Sequence, residues 1–172
     1  MALPIEAVQR ALREEKLDGW LLHDFQGFNP IASRLVGLAG SGKMATRRWY
    51  YFVPASGSPR GLVHAIESHN LDQLPGEKVV YAGREQLSAG LEQLLKGAGR
   101  VAMEYSPGNA IPYVSRVDAG TIETVRQLGT TVVSSGDLAQ RFEAIWTDAA
   151  LATHVAASER LYRIKDRAFD LV

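Results

Sequence analysis

A chain of 172 residues with 46% hydrophobic and 22% charged side chains has the size and composition of one globular domain with a buried core. Nineteen Lys and Arg balance nineteen Asp and Glu, which speaks against a nucleic-acid binder and for small or neutral partners. The lack of cysteine removes disulfides, thiolate nucleophiles and zinc–thiolate centres, and suits the cytoplasm.

Ile5, Val8 and Leu12 recur at helical spacing behind Pro4, so residues 4–16 are expected to be helical. Glu6, Arg10, Arg13, Glu14 and Glu15 form the solvated face and break the apolar run that a signal peptide needs. No later stretch reaches membrane-spanning length, and no membrane partner is expected. Asp18-Gly19 ends the helix, and Trp20-Leu21-Leu22 reads as a buried strand that delivers His23 and Asp24 to its end. Ile31 to Val36 reads as helix.

Arg47 to Val53 and Gly61 to Ile66 flank the turn cluster Ser56-Gly57-Ser58-Pro59 and read as a hairpin. Alternation would send Arg47, Trp49 and Tyr51 to one face of a partly exposed strand, and Arg48 and Tyr50 to the other. The stems of the arginines would then cover the rings. Further on, Lys78 to Tyr81, Arg100 to Tyr105 and Thr130 to Val133 are strand-like. Between and after them come helices carrying Leu87, Leu91, Leu94 and Leu95, then Ile122, Val125 and Leu128 with Gly129 as terminator, then Leu138, Phe142, Ile145 and Trp146. One hairpin among helix-separated strands predicts a three-layer α/β domain, with a mixed sheet of about five or six strands and helices on both faces.

The last predicted helix starts at Thr147 or Asp148 as N-cap. Its apolar residues Leu151, Val155, Leu161, Tyr162, Ile164, Phe169, Leu171 and Val172 cover an arc of roughly 200° at about 100° per residue. One surface contact needs less, and no C-capping signal follows. We therefore expect residues 147–172 to be a linker helix covered by protein beyond Val172, with a second copy of the chain as the alternative.

Gly37-Leu38-Ala39-Gly40-Ser41-Gly42-Lys43 has the glycines and lysine of a phosphate-binding loop, a reading that would make the chain a nucleotide binder. Met44 stands where that loop needs a hydroxyl for Mg²⁺, and the flanks run helix-to-strand instead of strand-to-helix. His64 and His69, with Glu67 between them, are spaced wrongly for a metal pair on one helical face and read as solvated loop residues. Asp24 and Glu104, both near strand ends, could be imagined as nuclease carboxylates, but turn-capping accounts for Asp24 and no further acids cluster with them. No catalytic residue and no metal ligand is assigned.

Several segments together resemble the N-terminal domain of the creatinase, prolidase and aminopeptidase P family. Leu17-Asp18-Gly19-Trp20-Leu21-Leu22 is similar to the family's helix-then-strand entry, and Arg34-Leu35-Val36-Gly37-Leu38 to its Tyr-Leu-Thr-Gly-Phe segment, departing from it at Arg34 and Val36. Trp146 to Val172 resembles its linker helix, while Asp24 to Pro30 and Met103 to Asn109 resemble a prolidase-like subgroup. The resemblance implies an RNase H-like fold without nuclease activity for residues 1–146. It also implies a missing metallopeptidase domain holding two divalent metal ions, Mn, Co or Zn, with no cofactor in this chain.

The implied role is dimerisation and restriction of substrate access in an enzyme acting on short proline-containing peptides. Its partners would be its own catalytic domain and a second subunit. Phe25, Phe28 and Asn29 are then the candidates to overhang the active site, and Arg47, Trp49 and His64 further access or interface candidates. A free-standing domain binding a peptide or small molecule is the alternative.

Overall fold

The computed structural model of the chain describes residues 3–171. Helix α1 (Ile5–Glu14) buries Val8, Ala11 and Leu12, one face of a helical repeat, and keeps its charges outside. It leads into β1 (Gly19–Asp24), which is buried along its whole length. Helix α2 (Pro30–Leu35) starts on Asn29, whose Oδ1 accepts from the Ala32 amide at 3.1 Å, with Pro30 in the first turn. Strands β2 (Trp49–Pro54) and β3 (Arg60–His64) form the expected hairpin. Then follow β4 (Glu77–Tyr81), α3 (Arg84–Leu95), β5 (Arg100–Met103), α4 (Ala119–Gln127) and β6 (Thr131–Ser134). Gly129, at φ +86, ends α4 in the left-handed conformation that glycine adopts without penalty. Helices α5 (Gly136–Phe142) and α6 (Asp148–Phe169) complete the described chain.

The sheet has six strands in the order β4-β3-β2-β1-β5-β6. Only β2 runs against its neighbours, and the other pairings are parallel. The C-terminal ends of β1, β3, β4 and β5 therefore share one edge with the start of β2. Alternation along the strands builds two cores. Trp20, Leu22, Trp49, Tyr51 and Val53 point into the layer covered by α1, α2 and α5, whereas Leu21, Tyr50 and Phe52 point into the layer covered by α3 and α4. Each fully buried Leu or Val in these layers contributes on the order of 1.5–3 kcal/mol. Gly90 lets α3 approach β3, since a Cβ there would stand 2.6 Å from Leu62 Cδ1.

Two sequence expectations are corrected. Strand β2 is not partly exposed: it lies between β1 and β3 with a helical layer on each side, and Trp49 is 1% accessible. The helix expected through Trp146 stops at Phe142, the last side chain of α5 that the first core takes up, packed 6.4 Å from the Trp20 ring. The Ala144 amide turns back to the Ala139 carbonyl at 3.1 Å, and Ile145 and Trp146 are exposed.

Thr147 does cap α6, its Oγ1 accepting from the Ala150 amide at 3.1 Å. No side chain of α6 is buried, and Leu161, Tyr162, Ile164 and Phe169 are all exposed. Val172, counted in the expected apolar arc, lies outside the described residues. Among the described residues, no helix is long and apolar enough to cross a membrane.

Candidate functional site

The shared strand edge carries two polar features, one buried and one open. The buried feature is centred on Glu104, just past β5 and fully enclosed. Its Oε1 accepts from the Trp20 indole at 2.7 Å and the Ser135 hydroxyl at 3.0 Å, and its Oε2 accepts from the Asn29 amide group at 2.7 Å. Burial raises the pKa of this carboxyl group, and the donations from Asn29, Trp20 and Ser135 offset part of that rise.

Asp24, at the end of β1, accepts from the backbone amides of Gly27 at 3.0 Å and Asn29 at 2.7 Å and from the Ser33 hydroxyl at 3.2 Å. Asn29 thus ties the two carboxyl groups together. Both acids are engaged by protein donors, so the turn-capping role expected for Asp24 holds and no open carboxylate set is presented for a metal ion. Among the described residues, no three His, Asp or Glu side chains come together as a ligand set.

The open feature is a cleft of about 740 Å³ between the start of α3 and the start of α4. Its walls include Arg47 and Arg48 before β2, His64 at the end of β3, Arg84 at the start of α3, and Asp118 and Thr121 at the start of α4. Phe25, Tyr50 and Tyr81 supply aromatic surface. The Arg48 guanidinium lies 5.4 Å from the centre of the Phe25 ring, and the Tyr81 hydroxyl donates to the Arg48 carbonyl at 2.7 Å. His64 meets Tyr81 edge-on at 5.1 Å, and its Nδ1 accepts from the Ile66 amide at 3.1 Å.

Beneath the floor, His23 stacks on Tyr50 with ring centres 4.2 Å apart, and its Nδ1 lies 2.9 Å from the Trp49 carbonyl. Burial lowers the His23 pKa to about 4, against the opposing pull of that carbonyl and of Asp118 and Asp24. Burial likewise raises the Tyr50 and Tyr81 hydroxyls. Asp118 is partly desolvated, yet donations from the Thr121 hydroxyl and amide, at 2.7 and 2.9 Å, leave its pKa below the ordinary value. The cleft therefore offers positive charge and aromatic surface.

Of the six residues singled out in the sequence, Phe25, Arg47 and His64 converge on this cleft. Phe28 is 67% exposed on the loop after β1 and stands outside it. Asn29 and Trp49, each 1% accessible, are held in the interior and present no side chain to a ligand. Sequence reading missed Arg84, Asp118 and Thr121, whose only local signal is their place at helix starts. Lys43 of the glycine-rich segment donates to Gln73 at 3.0 Å, and that segment runs from α2 toward β2 with no helix behind it, so the geometry of a phosphate-binding loop is missing.

No protein-family model and no curated protein matches the chain. Solved structures do. A proline dipeptidase structure from Streptococcus pneumoniae matches with a TM-score of 0.60 at 20% identity, over 85% of this chain and 100% of that one. The creatinase/prolidase N-terminal domain of a Streptococcus pyogenes X-Pro dipeptidase matches with a TM-score of 0.58 at 12% identity, over 80% of this chain and 97% of that one. The fold is that of the creatinase/prolidase N-terminal domain. A prolidase from Thermococcus sibiricus matches with a TM-score of 0.62 at 13% identity, over 95% of this chain but only 42% of its own. Thus the chain covers 97% of that isolated N-terminal domain and less than half of the Thermococcus prolidase chain.

Proposed function

We propose that this chain is the non-catalytic N-terminal domain of an Xaa-Pro peptidase of the prolidase or aminopeptidase P type. In the full-length enzyme it would serve dimerisation and restrict access of short proline-containing peptides to the active site. The observation that carries the reading is the difference in coverage: nearly all of the isolated dipeptidase domain, and 42% of the complete prolidase. A match over 95% of this chain also leaves too few residues unmatched to omit the 22-residue α6, so part of α6 has a counterpart in that enzyme. An exposed apolar helix at that place is suited to lead into a catalytic domain.

Two divalent metal ions, Mn, Co or Zn, would belong to that following domain. Asp24 and Glu104 do not fit them, because protein donors already engage both. The exposed aromatic Phe28 and the loop it sits on would overhang the neighbouring active site. The cytoplasm is the compartment proposed.

The test is twofold. Reading the gene past Val172 should reveal a metal-ligating domain, and the longer protein should hydrolyse an Xaa-Pro dipeptide with Mn²⁺ or Co²⁺ while the present chain does not. Turnover by the purified chain, or a gene that stops after Val172, would reject the proposal. The latter result would favour a free-standing binding domain, a reading that the open cleft supports.

A further inference from the structure

Arg47, Arg48 and Arg84 line one cleft, and Asp118 is the single carboxylate in its wall among the described residues. None of these arginines takes part in an ion pair among the described residues, whereas Arg34 and Arg141 are paired with Glu143 and Glu14. Asp118 is meanwhile committed to Thr121. The wall thus carries a formal surplus of two positive charges in a chain whose net charge is zero.

The backbone of the basic segment is also held in place. Buried Glu67 accepts from the Thr46 hydroxyl at 2.7 Å, the Thr46 amide at 2.8 Å and the Arg47 amide at 3.1 Å, fixing the backbone of the basic segment from behind. Desolvation alone would raise the Glu67 carboxyl, but those donations and the nearby Arg47 charge bring it below its ordinary value, so it stays ionised as an anchor. Phe25 lies beneath the Arg48 guanidinium, and the Tyr81 hydroxyl holds the Arg48 carbonyl. The amino end of α3 opens onto the same wall with Gly83 at its N-cap, and Gln86 Oε1 turns back to accept from the Ala82 amide at 2.7 Å and the Gly83 amide at 3.4 Å.

We propose that this cleft binds a small phosphate monoester. A phosphate monoester carries close to two negative charges at neutral pH, and its oxygens suit the planar forks of arginine. Arg48 and Arg84 hold the phosphate, Arg47 stands at the rim, and the organic part rests on Phe25 and Tyr81. The volume, about 740 Å³, accommodates a ligand of metabolite size. This site is independent of the peptidase reading and stands whether or not a catalytic domain follows.

Titration calorimetry on the 172-residue chain tests it, with inorganic phosphate, glucose 6-phosphate, AMP and glycylproline as probes at constant ionic strength. At least one ester is expected to bind at least about tenfold more tightly than inorganic phosphate, and Arg48→Gln and Arg84→Gln should each weaken it by about tenfold or more. Arg84→Lys, which keeps the charge and loses the fork, should fall between. Arg34→Gln, remote from the cleft, should bind as the parent does. All of these arginines are exposed, and unchanged melting curves will separate lost binding from lost folding. The proposal is overturned if no phosphate compound binds, if the esters gain nothing over inorganic phosphate, if Arg34→Gln weakens binding equally, or if glycylproline alone occupies the site.

Discussion

Glu104 sits in the interior without a cation beside it, and what keeps it there is the set of donors from Trp20, Asn29 and Ser135. Removing the acceptor leaves several buried donors unpaired as well as a cavity, so Glu104→Ala is expected to cost about 3–5 kcal/mol in urea unfolding. Stability equal to the parent's would show that the three donors find other partners. His23, whose backbone carbonyl accepts from the same Asn29 amide group at 2.8 Å, gives a pH signature of the opposite kind. Its folded pKa, about 4, is depressed below the ordinary 6.5, so its share of stability is complete above pH 6.5 and is lost as pH falls toward 4. The loss reaches about 3 kcal/mol near pH 4. Glu104, with a raised folded pKa, works the other way: its share is present below the unfolded carboxyl value and is lost as pH rises through the folded one. A His23→Gln variant should therefore flatten the stability profile between pH 4 and 6.5, as read by chemical denaturation at each pH, and a profile unchanged by the substitution would contradict the assignment.

Elements were legible to the extent that their signals were local. The Gly129 stop of α4, the Thr147 cap of α6 and the Ser56–Pro59 turn are each set by a few adjacent residues, and all appear where expected. The end of α5 was not legible, because Ile145 and Trp146 continue its apolar spacing and only the limited reach of the first core stops the helix at Phe142. Helix α6 is the opposite case: its pattern forms a helix, yet the described chain provides nothing to bury it. Deleting residues 147–172 should accordingly lower the melting temperature by less than about 3 °C, because α6, with no buried side chain, adds little to global stability. A fall of about 10 °C or more in circular dichroism would mean that α6 packs on the domain after all.

At the scale of the whole molecule, the strand order decides what the site is. Phe25, Arg47 and His64 come from three separate strand ends, and they line one cleft because β1, β2 and β3 are neighbours with β2 reversed. The same order makes β2 one of the two central strands of a covered sheet, which removes Trp49 from any surface, and brings β1 beside β5, which turns Asn29 inward onto Glu104. Periodicity, turn residues and charge spacing by themselves determined the succession of helices and strands, the three-layer mixed-sheet class and the amphipathic last helix. Those properties depend on residues within a few positions of each other. Which strands are neighbours, which aromatic faces are covered and which arginines share a wall depend on pairings across tens of residues. Only the assembled sheet and its two helical layers decided them, because burial is a property of the packed neighbours and not of the segment itself.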